Sequence, residues 1–204
     1  MGVMVEQPTD YFSQWIWERS SLLLDLEKEA SRQQIPIIGP VVGRLLYLLV
    51  RLSRARRIVE LGTATGYSAI IMGQALGRGD GRIDTFEMDP VLSERARSNV
   101  LQAGLKDVIK VHCTDARQGI EALDEPVDMI FMDIEKEDYA RMLPVCESKL
   151  RQHGLLVADN TGFSDAHGFN LAIHGNPAWC SVNLWAFLPG HSPEFDGICL
   201  ALKQ

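Results

Sequence analysis

The stretch Arg57-Ile-Val-Glu-Leu-Gly-Thr-Ala-Thr-Gly-Tyr-Ser68 reads as a strand, a tight turn carrying two glycines, and the opening of a helix. Ile58, Val59 and Leu61 are aliphatic residues suited to a buried strand, and Tyr67 and Ser68 start a helical pattern after Gly66. Gly62 and Gly66 let the backbone approach a ligand closely, and the helix that follows aims free N–H groups into the turn. This is the form of a nucleotide-binding loop. Its spacing is GxxxG, not the GxGxxG of dinucleotide folds, and no Lys-Ser/Thr pair follows Gly66 as a Walker A loop requires. The expected ligand is therefore something other than a pyrophosphate.

Downstream the alternation repeats. RIDTFEMD precedes a helical pattern over 90–103, VIKVHC one over 116–123, VDMIFMD one over 139–150, and GLLVADN a shorter one over 168–175. With RIVELG and the helix over 67–76, five strand–helix units predict a mostly parallel sheet covered by helices on both faces. SVNLWAFL and FDGICLALK are separated only by PGHSPE, so they predict a closing antiparallel hairpin and a sheet of seven strands. Upstream, residues 11–32 predict one or two helices, with Asp10 as N-cap and Trp15, Ile16, Leu22, Leu23, Leu24 and Leu26 on roughly one face. Pro36 ends that pattern, and Gly39-Pro40 introduces a strongly apolar helix over 41–53. The chain reads as a single α/β domain over 1–204, with a helical cap over 1–53 and a ligand-binding core over 54–204.

Composition narrows the classes. A length of 204 residues fits one domain. Twenty Lys plus Arg against twenty-seven Asp plus Glu gives a net charge of −7, which argues against a broadly basic nucleic-acid face. Arg51, Arg54, Arg56 and Arg57 cluster, in the manner of a solvated helix end. Cys113, Cys146, Cys180 and Cys199 form no CxxC pair, so they suit reduced thiols better than a zinc knuckle or a disulfide scaffold. There is no apolar run of about eighteen residues and no basic segment ahead of an apolar one, so a cytoplasmic protein with no membrane partner is expected.

In an open parallel sheet the ligand lies outside the carboxyl ends of the strands. Those ends are acidic here: Glu60, Glu87 with Asp89, Asp115, Asp133, and Asp159 with Asn160. Such a rim calls for hydroxyl donors, a cationic ligand or a metal. Glu87 is placed to accept both hydroxyls of a ribose, whereas Asp89, just before Pro90, suits a helix N-terminus. Asp115 and Ala116 either meet a base edge or cap a turn. Asp133, Asp159 and Asn160 are three hard oxygen donors from adjacent strand ends, which suit Mg²⁺ or Ca²⁺ and not zinc. Lys136 can turn back over the same edge, and a neighbouring cation would favour its uncharged form, that of a general base. None of His112, His153, His167, His174 and His191 has the spacing of a ligand pair, so loop or surface roles are expected, with only His167 considered for a substrate loop.

Taken together, these motifs resemble the divalent-cation-dependent class I S-adenosylmethionine-dependent O-methyltransferases, the family of catechol and caffeoyl-CoA O-methyltransferases. The matching segments are VELGTATGYS (59–68), TFEMDP (85–90), TDA (114–116), MDIEKEDY (132–139), ADN (158–160) and DGICLALK (196–203). The pairing of DxxKxxY with DN at the next strand end is the most specific of them. The resemblance implies a Rossmann-like methyltransferase domain that binds S-adenosylmethionine. It implies Glu60, Gly62, Thr63 and Ser68 around the methionine portion with Gly66 in the same turn, Glu87 on the ribose, and Asp115 with Ala116 at the adenine. It further implies Asp133, also beside the cofactor, with Asp159 and Asn160 on a cation, Mg²⁺ ahead of Ca²⁺ or Mn²⁺, and Lys136 as the base. Gly39 to Gly43 would close over the cofactor, and Trp15, Trp17, Leu45 and Tyr47 would supply a homodimer contact.

Two departures bear on the substrate. Ile134 stands where a small residue is common in the caffeoyl-CoA type, and the segment after Asn160 is short, so the family's substrate clamp does not carry over. The function expected is metal-assisted methylation of a small aromatic with vicinal hydroxyls. The alternatives are methylation of a hydroxylated tRNA base, which the acidic charge disfavours, and a catalytically silent cofactor-binding module, which has no use for a base beside a metal.

Overall fold

The computed structural model describes residues 2–77 and 79–204. Its sheet contains β1 (Arg57–Leu61), β2 (Arg82–Glu87), β3 (Ile109–Cys113), β4 (Val127–Met132), β5 (Leu150–Ala158), β6 (Trp179–Phe187) and β7 (Phe195–Lys203). The spatial order is β3-β2-β1-β4-β5-β7-β6, and only β7 runs against the others. The seven-stranded, mostly parallel α/β sheet is the one the sequence predicts, closing hairpin included.

Side chains leave each strand alternately to the two faces. Ile58, Met129 and Phe131 enter one core with α2 (Ser21–Gln33), α3 (Gly39–Ser53), α4 (Tyr67–Leu76) and α5 (Pro90–Gln102). Val59, Leu61, Ile130 and Met132 enter the other with α6 (Ala116–Glu121), α7 (Tyr139–Lys149) and α8 (His167–Gly175). Burial on both faces explains why the strands read as continuous apolar runs.

The N-terminal reading needs correction. Asp10 lies inside a short helix, α1 (Pro8–Ser13), where Pro8 takes the first helical position and Gln7 precedes it. The chain then breaks, and Ser20 caps α2 by accepting the Leu23 N–H. Trp15 falls in the break and is 67% exposed, while α2 buries Leu23, Leu26 and Ala30. At α5 the expectation holds: Asp89 Oδ1 accepts the N–H groups of Val91 and Leu92 at 2.7 and 2.9 Å.

The register brings the functional edge together. Leu61 pairs with Met132 and Met132 with Ala158, so Gly62, Asp133 and Asp159 follow at one level. Backbone bonds extend the pairing one step, from Asp133 N to Leu61 O at 2.9 Å and from Asp159 N to Met132 O at 3.1 Å. Arg54, Arg56 and Arg57 stand at the start of β1, the opposite edge, where Arg57 pairs with Glu125. This basic cluster thus lies at the far end of β1 from the acidic rim. No helix among the described residues is long and apolar enough to cross a membrane.

Candidate active site

Gly62 has φ +92°, and a Cβ there would fall on the carbonyl of Asp133, so only glycine lets the end of β1 pass the end of β4. Ala64 is also left-handed, at φ +46°, and is held there by donating its N–H to Glu87 Oε2 at 2.8 Å. Gly66, at φ +87°, precedes α4 and donates to Thr63 O at 2.8 Å, while Asn99 Nδ2 donates to Thr65 O at 2.9 Å. The turn is therefore fixed by bonds from outside it.

A cleft of about 480 Å³ opens above this turn. Gly62, Thr63 and Ser68 form one wall, Glu87 stands at the end of β2, and Asp115 and Ala116 lie where α6 begins. Asp133 and Lys136 close the far side, together with Ile134. The segment covering the cleft is Ile35–Ile38, just ahead of Gly39–Gly43. Glu87 accepts Ala64 N–H on one oxygen and Asp89 N–H on the other, at 2.8 and 2.9 Å, and each oxygen keeps a lone pair for a hydroxyl. Asp115 does both things the sequence left open: its Oδ1 caps α6 through Gln118 N at 3.0 Å, and it lines the cleft.

Glu60, Gly66, Asp159 and Asn160 do not line the cleft. Glu60 is wholly buried beneath it, and its Oε2 accepts a 2.5 Å hydrogen bond from Thr85 Oγ1, which in turn lies 2.5 Å from Thr63 Oγ1 in the wall. The other oxygen, Oε1, has no partner among the described residues. Burial pushes the Glu60 carboxyl up to about 8, with the Ser68 and Thr85 hydroxyls pulling the other way.

At the far side, Lys136 turns back as expected, and its Nζ lies 3.0 Å from Asp133 Oδ1. Asp159 is almost completely buried; Oδ2 lies 2.8 Å from His191 Nε2, while Oδ1 has no partner among the described residues. Burial raises the Asp159 carboxyl, with the His191 contact opposing it. Burial alone would lower His191, but the bond to Asp159 and its charge outweigh that and raise it. Asn160 takes a left-handed φ of +51° and donates Nδ2 to Asp196 Oδ2 at 2.7 Å, which leaves its amide oxygen free to act as a donor atom. Tyr139 Oη lies 3.1 Å from the carbonyl oxygens of both Met132 and Asp159, tying the ends of β4 and β5 together.

These atoms fit a hard cation. Asp159 Oδ1 is a buried acceptor that nothing in the protein satisfies, and the Asn160 amide is oriented with its nitrogen committed elsewhere. Among the described residues no three His, Cys, Asp or Glu side chains group as metal ligands, so a cation here would have to draw on two carboxylates and an amide oxygen. Asp196 opens the DGICLALK segment, but nothing in the sequence tied it to Asn160, and His191 carried no signature. His191, expected in a loop or surface role, sits in the β6–β7 connection but is 5% exposed. The only available signal was the hairpin itself, since β7 next to β5 brings the residues before it to Asp159.

Comparison with known proteins agrees with this fold. Residues 15–169 match the O-methyltransferase family. The chain is 34% identical over 219 residues to a catechol O-methyltransferase of Niastella koreensis, an alignment covering 98% of this chain and 97% of that one. The O-methyltransferase TomG of Streptomyces achromogenes, solved in complex with SAM, is similar at a TM-score of 0.85 and 26% identity, over 98% of this chain and 100% of that one. An O-methyltransferase of Bacillus cereus, solved in complex with SAH, is similar at 0.81 and 26%, over 97% of each chain. With the family match spanning residues 15–169 and a 34% identical relative covered almost end to end, the chain belongs to the O-methyltransferase family.

Proposed function

We propose that this O-methyltransferase moves the methyl group of S-adenosylmethionine to one hydroxyl of a small aromatic carrying two adjacent hydroxyls, with a divalent cation, Mg²⁺ first, at Asp133, Asp159 and Asn160. The observation that carries this reading is the contact of Lys136 with Asp133 at the cleft rim, with the unpartnered Asp159 Oδ1 buried at the end of the neighbouring strand. SAM and SAH in the similar structures, and catechol in the name of the Niastella relative, support it. The bound cation would supply Lewis acidity, making a neighbouring hydroxyl easier to deprotonate.

The residues do the rest by placement. Glu87 accepts from the ribose hydroxyls, and the Thr63 to Ser68 turn holds the methionine end. Ile35–Ile38 keep water from the cleft. Lys136 Nζ takes the acceptor's hydroxyl proton as the oxygen displaces the sulfur from the methyl carbon. The four free cysteines support a reducing cytoplasm, and exposed Trp15 and Leu52 support a homodimer, checked by equilibrium sedimentation.

The test is labelled methyl transfer from S-adenosylmethionine to catechols, caffeoyl esters and hydroxylated nucleosides, with Mg²⁺ or with EDTA. Transfer to a catechol that stops in EDTA is expected. Full activity in EDTA would remove the cation from the reading, and transfer to nucleosides alone would replace the acceptor class.

A further inference from the structure

We infer that His191 and Asp196 are positioning residues for the two buried cation ligands, His191 holding Asp159 and Asp196 holding Asn160. The inference rests on the proposed cation at Asp133, Asp159 and Asn160. Both residues come from the far side of the sheet order: His191 from the β6–β7 connection, Asp196 from the start of β7.

The His191 ring is gripped at both nitrogens. Nδ1 lies 2.6 Å from the Pro193 carbonyl, which can only accept, so Nδ1 carries a hydrogen, and Nε2 meets Asp159 Oδ2 at 2.8 Å. Turning the ring would break both contacts. With Oδ2 committed to His191, Asp159 has one oxygen left, the unpartnered Oδ1. One carboxylate is thereby divided into a held oxygen and a free one.

Asp196 does the equivalent for the amide. Its Oδ2 takes the Asn160 Nδ2–H at 2.7 Å, and its Oδ1 takes the N–H groups of Gly162 and Gly197 at 3.1 and 2.6 Å. An amide anchored through its nitrogen presents its oxygen, the atom a hard cation requires. The backbone around it is equally committed. Asn160 is left-handed, Thr161 donates to Gly197 O at 2.8 Å, and a Cβ on Gly162 would stand 2.6 Å from Asp196 Oδ1.

Anchoring a hairpin needs no buried charge. Asp196 and Asp159 are each 1% exposed, and burying such groups is unfavourable unless their bonds are used. The bonds of Asp196 run to the ligand residue Asn160, to Gly162 in the loop after it and to Gly197 beside it on β7, and Asp159 is bonded to His191. Outer partners of this kind fix ligand orientation, and their loss typically weakens metal binding about 10- to 100-fold.

The experiment uses the full chain and Mn²⁺ as probe, with free Mn²⁺ followed by electron paramagnetic resonance and S-adenosylmethionine binding followed by calorimetry in metal-free buffer. His191→Ala and the isosteric Asp196→Asn should each weaken Mn²⁺ binding about 10- to 100-fold while cofactor affinity stays within about twofold. His191→Gln, which can offer one N–H to Asp159, should recover most of the loss. Mn²⁺ binding at wild-type strength in both His191→Ala and Asp196→Asn would overturn the inference, as would parallel loss of Mn²⁺ and cofactor affinity, which would mark a purely structural role. Wild-type protein that binds Mn²⁺ no better than Asp159→Ala would instead remove the cation site, and the inference with it.

Discussion

Lys136 Nζ lies 3.0 Å from Asp133 Oδ1, and the two side chains keep 22% and 26% of their surface exposed. The pair is therefore open to the cleft and to solvent. Replacing Lys136 with Ala should lower kcat about 10²- to 10⁴-fold. Cofactor affinity, read by calorimetry, should hardly change; if it collapses with the rate, Lys136 is part of the cofactor site and not the base.

Tyr139 Oη spans the carbonyls of Met132 and Asp159 while its ring meets Phe169 edge-on, with centroids 5.6 Å apart. Tyr139→Phe keeps the ring and deletes the strut. The loss should be about 1–2 kcal/mol in urea denaturation, because a fully buried carbonyl gives up its hydroxyl partner. A midpoint unchanged from wild type would mean that the hydroxyl does not hold the strand ends.

Gly62 and Gly66 share a left-handed φ, yet only at Gly62 would a Cβ collide with backbone, that of Asp133; at Gly66 its nearest neighbours, on Ala96, are at 3.5 Å. Gly66→Ala should cost about 1 kcal/mol from backbone strain alone. Gly62→Ala should cost about 3 kcal/mol or more, since the strand ends must separate. Chemical denaturation of the two variants checks the order, and equal losses would contradict the close approach.

Glu60 makes stability depend on pH in an unusual sense for an acid. Its folded value, about 8, lies above the unfolded value of about 4.3, so the folded state holds a proton the unfolded chain has released. That contribution is complete below the unfolded value and is lost as pH rises to about 8. Relative to Glu60→Gln, the wild type should lose on the order of 2 kcal/mol between about pH 6 and 8. Parallel stability curves for the two proteins would show that Glu60 is ionised when buried.

Much of this was legible in local signals. The step from β1 into α4 at Tyr67, the Asp89 cap and the closing hairpin each follow from residues adjacent in sequence. So did the gathering of Glu87, Asp115, Asp133 and Lys136 at one cleft, because parallel strands share a carboxyl edge. Depth was not legible: whether Glu60 faces the ligand or lies beneath it depends on how β1 and β2 pack, through Thr85. Nor were His191 and Asp196, whose roles arise only when β7 inserts between β5 and β6. The apolar pattern ahead of Pro36 gave no hint that Trp15 lies in a break between helices.

That insertion also orders how the protein can assemble during synthesis. β1 to β4 and their helices leave the ribosome before β7, and they contain the glycine turn, Glu87, Asp115 and Lys136. The cofactor half is thus synthesised first, whereas Asp159 and Asn160 gain their partners only once β7 lies between β5 and β6. A chain stalled short of β7 would hold a cofactor turn without a finished ligand set, so competence for chemistry comes last, with the strand that completes the sheet.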